Sequence, residues 1–191
     1  YFFIKEVAET CNPDDVIIVT SSLTKDMNSN EDLFRANSIR VLAKMIDTAM
    51  LGAIERYLKQ AIVDKNAMVS SSALVAGAHL IRGSPDVVRR WMNEVQEAMH
   101  STSEMVQFQA LSLLYEIKCH DRLAISKMVA QLTRTNITSP MATCLLIRYI
   151  TTMVVGGGDD MLSDAAGRMT YQFLELSLRH RSEAVIYEAA K

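Results

Sequence analysis

The side chains that could do chemistry in this chain stand far apart from one another. Cys11, Cys119 and Cys144 lie in different segments, and the four histidines stand alone except where His120 follows Cys119. Adjacent residues of a helix point in different directions, so this pair is a poor chelate for a metal. No CxxC pair is present, and scattered cysteines in odd number indicate a reducing compartment rather than a disulfide scaffold. We therefore expect no metal site.

Catalysis would need titratable groups that converge, and the short motifs that bring them together are missing from the sequence. No GxSxG, HExxH or Walker A segment is present. The stretch GGGDD at 156–160 has glycines but no following Lys-Ser or Lys-Thr pair. A helix end and a loop is therefore a better interpretation than a phosphate cradle. The sequence predicts no enzyme, no catalytic residue and no cofactor.

Charge is nearly balanced, with 20 basic and 22 acidic residues and a net charge of −2. The basic pair at 89–90 and the basic trio RHR at 179–181 are short, and they are typical of solvated helix faces and helix ends. The most apolar long stretch, 141–155, is shorter than the roughly 20 residues of a bilayer span and contains Arg148. We expect a buried helix there, and neither nucleic acid nor a small-molecule substrate as a ligand.

The elements that would position any functional side chain follow a repeat. Residues 68–74 read MVSSSAL and residues 105–111 read MVQFQAL, so one frame recurs after 37 residues. A small side chain at a fixed place in each repeat would let the backbones of helices in adjacent layers approach closely. Alanines follow the same step twice and continue it at intervals of 32 and 47 residues, at Ala36, Ala73, Ala110, Ala142 and Ala189.

Helical periodicity surrounds each of these alanines. Val106, Ala110, Leu113 and Ile117 lie on one stripe of a helix. Each Ser-Pro pair puts a capping hydroxyl before a proline at the first helical position, where its missing N–H costs nothing. The pattern predicts pairs of helices. First helices are expected at 31–48, 67–82, 103–119, 140–155 and from 183 onward, and second helices at 14–27, 49–65, 85–100, 121–134 and 160–179.

A unit of about 40 residues built from two helices is typical of HEAT and armadillo repeats. We therefore predict an all-α chain, an α-α superhelix of about five helix pairs, as a single solenoid segment over 1–191. The stretches YFFIKEVAET and SEAVIYEAAK at the two ends look helical and lack the polar cap that a free-standing solenoid needs. We interpret the chain as a fragment of a longer solenoid, with its binding residues exposed on successive second helices.

Several long stretches resemble the γ subunits of coatomer, the COPI vesicle coat. The similarity weakens after Gly156 and returns in VIYEAA at 185–190. The residues that carry it are DDVIIVTSSLTKDM (14–27), AIERYLKQAIVDK (53–65), VSSSALVAGAHL (69–80), PDVVRRWMNEVQEAM (85–99), MVQFQALSLLYEI (105–117) and DRLAISKMVAQLTR (121–134).

The resemblance implies the trunk of an adaptin-like α-solenoid with a role in a vesicle coat. Such a trunk binds an Arf-family small GTPase in its GTP form and helps recruit the COPI coat to Golgi membranes for ER–Golgi protein transport. Further implied partners are other coatomer subunits, including zeta, and the implied location is cytoplasmic, peripheral on Golgi and COPI vesicle membranes. The trunk of a clathrin-adaptor large subunit, or a generic HEAT-repeat scaffold, remains the alternative.

The resemblance also places the GTPase against the second helices 14–27 and 49–65, with some reach to 85–100. If Val19, Leu23 and Met27 face the core, Ile17 and Thr20 point partly away. An exposed isoleucine suits an apolar hot spot, although Ile17 could instead pack under the preceding helix. The candidate partner-binding residues are Val16, Ile17, Thr20, Met50, Ala53 and Arg56.

Overall fold

The computed structural model describes residues 1–8, 10, 13–46, 48–119, 121–133, 137–157 and 165–191, and every regular element among them is an α-helix. This confirms the predicted all-α class. The helices of this part of the chain are α1 (Phe2–Ala8), α2 (Pro13–Asp26), α3 (Asp32–Met45), α4 (Thr48–Ile62), α5 (Ala67–Leu80), α6 (Pro85–Arg89), α7 (Met92–Ala98), α8 (Glu104–Lys118), α9 (Arg122–Leu132), α10 (Pro140–Gly157), α11 (Ala165–Ser177) and α12 (Glu183–Ala190).

One predicted helix differs from the structure, because 85–100 is divided into α6 and α7. The N–H groups of Arg90 and Trp91 donate to carbonyls only three residues earlier, which tightens the turn. Trp91 has φ −90° and ψ 4°, outside the helical range, and its side chain is fully buried. Its indole N–H donates to the carboxylate of Glu55 on α4 at 3.2 Å. The prediction of one continuous helix is therefore wrong here, and the break coincides with a contact between Trp91 and a distant helix.

Residues 1–100 form one compact unit. Within it α1 packs on α3, and α3 packs on α5, so these three helices make one layer. Among the second helices, α2 packs on α3, while α4 packs on both α5 and α7. The repeated alanines Ala36 and Ala73 are fully buried, as expected where a small side chain permits close approach of two backbones.

Residues 101–191 form a second compact unit. Here α8 packs on α10 and α10 packs on α12, while α9 packs on α11. Ala110 and Ala142 are fully buried. Each unit therefore has the two-layered arrangement of helix pairs that the repeat predicts. In the second unit, a cluster of buried residues, Cys144, Ile147 and Val185, joins α10 to α12.

Four first helices begin with the same turn, which the sequence pattern does not reveal. In each case a side chain two residues before the N-cap accepts a hydrogen bond from the backbone N–H of the N-cap residue. Any acceptor atom can fill this role, so the residue type varies. The acceptors and donors are Ser29 and Glu31 (3.2 Å), Asp64 and Asn66 (2.8 Å), Ser101 and Ser103 (3.2 Å), and His180 and Ser182 (3.0 Å).

Candidate functional site

The solvent-facing side of α2 carries two adjacent isoleucines. Ile17 is 53% exposed and Ile18 is 67% exposed, so Ile17 does not lie beneath the preceding helix. The opposite side of the helix is buried through Leu23 and Met27. Sequence reasoning missed Ile18, although it follows Ile17 directly, because only the neighbouring helices show how far the buried stripe extends around α2.

One of the candidate residues from the sequence, Thr20, is buried. It was expected to point partly outward, but it is only 3% exposed. Its hydroxyl donates to the carbonyl of Val16, one turn earlier, at 2.7 Å. Because this bond satisfies the polar group, Thr20 can share the buried stripe with Leu23 and Met27. The outward assignment of Thr20 is therefore wrong, and Thr20 does not belong to the exposed surface.

Val16, another candidate, lines an apolar groove rather than the outermost surface. The residue is half-buried. The groove has a volume of about 220 Å³, and Asp15 is the one charged side chain among the described residues that line it. Helices α1, α2 and α3 all contribute to it, through Phe3, Val7, Val16, Val19 and Met45.

The exposed side of α4 begins with two small residues. Gly52 and Ala53 are exposed, Arg56 is exposed one turn later, and Met50 is half-buried. A Cβ atom built on Gly52 would meet no atom within 4 Å, so the space above the glycine is open. This surface thus combines a nearly flat stretch of backbone with one guanidinium group.

A polar network on a different side of α4 sets the rotation of that helix. The carboxylate of Glu55, whose side chain is 17% exposed, accepts from Arg90 Nε at 3.1 Å, Arg90 Nη2 at 2.5 Å and the Trp91 indole at 3.2 Å. One turn later Lys59 pairs with Glu94 of α7 at 2.9 Å. With these contacts facing α6 and α7, Ala53 and Arg56 are left facing solvent.

This network also shifts the pKa values of its members. The hydrogen bonds from Arg90 hold the pKa of the Glu55 carboxyl below its usual value, against the opposing effect of burial. The same contact raises the pKa of Arg90. Glu55 is therefore ionised at neutral pH and serves as a structural acceptor, and a carboxyl with a lowered pKa is poorly suited to act as a general acid.

The described part of the chain lacks a metal-ligating cluster and a membrane-spanning helix. No group of three His, Cys, Asp or Glu side chains within it could hold a metal ion, and no helix there is both long and apolar enough to cross a membrane. Cys119 and Cys144 are free thiols, and burial raises the pKa of the Cys144 thiol. The sequence candidates Cys11, His120 and 158–160 lie outside the described residues.

Comparison with known proteins identifies the family. A family model described as the adaptin N terminal region matches residues 1–191. The chain is 54% identical to coatomer subunit gamma of Arabidopsis thaliana over 193 aligned residues and 54% identical to probable coatomer subunit gamma of Caenorhabditis elegans over 191. Identity to coatomer subunit gamma of Drosophila melanogaster is 52% over 190 aligned residues.

These alignments cover 100% of this chain and 21% of each relative, so the chain spans about a fifth of their length. They confirm the resemblance to coatomer γ subunits seen in the sequence. With the all-helical structure and a match to the family model along its whole length, the chain belongs to the adaptin N-terminal region family.

Proposed function

We propose that this chain is a non-enzymatic segment of a COPI coat subunit, part of a longer adaptin-like trunk, that binds a GTP-loaded Arf-family small GTPase. The binding surface is the exposed side of α2 together with the exposed side of α4, and it helps recruit the coat to Golgi membranes. The names and identities of the relatives support the coat assignment. The observation that carries the binding site is the pair of exposed isoleucines, Ile17 and Ile18.

An exposed isoleucine pair on a helix is a good anchor for a protein partner. Complete burial of an isoleucine side chain is worth roughly 1.5–3 kcal/mol, and Ile17 still has 53% of its surface to bury. Burial of the remaining half would therefore contribute about 1 kcal/mol before any gain from shape complementarity. Two such residues side by side can form the centre of a small hot spot.

The exposed side of α4 adds shape and charge to this surface. Ala53 and Gly52 present little side-chain bulk, so a partner can bring its backbone or a bulky side chain close to the helix. Arg56 offers a planar guanidinium that can bind a carboxylate with two parallel hydrogen bonds. The surface thus suits a partner that is apolar at its centre and acidic at one edge.

Binding should depend on the nucleotide held by the GTPase. The switch segments of small GTPases are ordered by contacts to the γ-phosphate and are released on hydrolysis. A rigid helical surface can recognise only the ordered arrangement, so the GDP form should bind much more weakly. Equal binding of the two nucleotide forms in a pull-down would contradict the proposal.

The sharpest variant is Ile17→Asp. Because Ile17 is exposed, the substitution should abolish binding to GTP-loaded Arf while leaving the helical circular-dichroism signal and the melting temperature nearly unchanged. Leu123→Asp on α9 is the matched control, because Leu123 is a 74% exposed apolar residue outside the proposed surface. Loss of binding in both variants, or in neither, would reject this placement of the site.

Other coatomer subunits, including zeta, are proposed as further partners of the full-length protein. Docking of a GTPase on α2 and α4 leaves the rest of the trunk surface for these subunits. Co-purification of the full-length protein with zeta should therefore survive Ile17→Asp. Loss of zeta together with Arf would show that the variant damages the trunk as a whole.

A further inference from the structure

The loop between α11 and α12 carries two exposed arginines shortly before a serine. Arg179 and Arg181 are exposed, and within the described part of the chain neither guanidinium forms an ion pair. Ser182, the N-cap residue of α12, has an extended backbone with φ −92° and ψ 122°, and its side chain makes no capping hydrogen bond. The basic trio of the sequence therefore lies directly before an unengaged serine.

Serines that precede a proline or lie near the basic trio are less accessible to solvent than Ser182. Ser84 and Ser139, each followed by proline, are 8% and 2% exposed. Ser177, at the end of α11, is 5% exposed and donates its hydroxyl hydrogen to the carbonyl of Phe173 at 2.8 Å. Ser182 differs from these buried residues because it lies in a loop and is only half-buried.

We propose that Ser182 is a phosphorylation site for an arginine-directed protein kinase. Such a kinase holds an arginine three residues before the acceptor with carboxylates, in the bidentate geometry that guanidinium groups favour. Arg179 occupies that position, and Arg181 adds a second cation directly before the serine. The proposal is independent of GTPase binding, because it concerns neither α2 nor α4.

The transfer is an ordinary phosphoryl transfer from Mg·ATP. Oγ of Ser182 attacks the γ-phosphorus, and the bond from this phosphorus to the oxygen bridging to the β-phosphate breaks. ADP leaves with that bridging oxygen, and the hydroxyl proton passes to the catalytic aspartate of the kinase. The product is a phosphoserine at the N-cap of α12.

The phosphate would tighten the start of α12. It brings a charge of about −1.5 to −2 to the positive end of a helix, beside two exposed arginines. Helix α12 is joined to α10 by the buried Val185 and by the ion pair of Arg148 Nε with Glu188 Oε1 at 2.8 Å. Loops lie at the edges of stacked helix pairs, so this loop stays accessible when neighbouring pairs cover the faces.

The test uses the folded 191-residue chain, an arginine-directed kinase and Mg·ATP, with intact mass and phosphopeptide mapping as readouts. We expect one phosphate per chain on Ser182 and none at this position in Ser182→Ala. Arg179→Gln should lower kcat/KM of the kinase for the chain about tenfold, because it removes a charge-assisted contact in the kinase cleft. Amides at the start of α12 should exchange with deuterium more slowly after phosphorylation.

Ser103 provides a matched control in the same molecule. It is also an N-cap without a capping side-chain bond, with φ −83° and ψ 118°, and a glutamate follows it. It has His100 instead of arginine three residues earlier, so the kinase should leave it unmodified. Similar labelling of Ser103 and Ser182, an unmodified Ser182 in the folded chain, or an unchanged rate with Arg179→Gln would each overturn the proposal.

Discussion

Removal of the Glu55 side chain should show how much its hydrogen bonds contribute to the free energy of unfolding. Trp91 is the single tryptophan of the chain and is fully buried, and its indole N–H donates to the Glu55 carboxylate. Arg90 also contacts this carboxylate, but its side chain is 56% exposed. In Glu55→Ala both donors lose their acceptor, and only the arginine can turn to water instead.

The magnitude follows from this difference in exposure. A buried donor left without an acceptor costs about 1–3 kcal/mol, whereas an ion pair with an exposed member contributes about 0.2–1 kcal/mol. We therefore expect Glu55→Ala to lower the free energy of unfolding by about 2–3 kcal/mol. Arg90→Ala should cost less than Glu55→Ala, because the buried indole keeps its acceptor. Glu55→Gln keeps an acceptor for the indole and should cost less than about 1 kcal/mol.

The contribution of the carboxylate should also depend on pH. The hydrogen bonds from Arg90 lower the pKa of Glu55 in the folded state, relative to about 4.3 in an unfolded chain. A group whose pKa is lower in the folded state stabilises the protein above its unfolded pKa, and this contribution is lost as pH falls through the folded value. The stability difference between wild type and Glu55→Gln should therefore shrink below about pH 4.

Urea unfolding followed by far-UV circular dichroism and by tryptophan fluorescence measures both effects. The midpoint should shift with little change in the slope of free energy against urea. The fluorescence of Trp91 reports directly on the network, because no other tryptophan contributes. If Glu55→Gln or Arg90→Ala costs as much as Glu55→Ala, the buried indole is not the dominant contact and the reasoning fails.

Three further substitutions test the packing. Gln107→Ala removes the acceptor that the backbone N–H of buried Ser139 uses at 3.1 Å, and it should cost about 1–3 kcal/mol in urea unfolding; a neutral effect would show that water replaces the side chain. Ala110→Leu should cost about 1–3 kcal/mol by overpacking a fully buried site, and an unchanged melting temperature would contradict the close approach of helices there. Thr20→Asp should unfold or strongly destabilise the chain, because it buries a charge, whereas Ile17→Asp should not. Equal melting temperatures for these two variants would contradict the assignment of buried and exposed sides of α2.

The helices and their repeat could be predicted from the sequence because both depend on residues near one another in the chain. A side-chain stripe such as Val106, Ala110 and Leu113 returns to the same side of a helix within two turns. The Ser-Pro pair at 139–140 marks the start of α10 with a backbone preference that needs no distant partner. The buried alanines Ala36 and Ala110 could be assigned to helix contacts for the same reason.

The tertiary structure decided which side of each helix is covered. Thr20 is buried because other helices cover that side of α2 and Val16 accepts its hydroxyl hydrogen, although a threonine among apolar residues could equally mark an exposed side. The break between α6 and α7 accompanies a hydrogen bond to Glu55, 36 residues away. Periodicity is a property of near neighbours, whereas burial and hydrogen bonding depend on helices brought together only by folding.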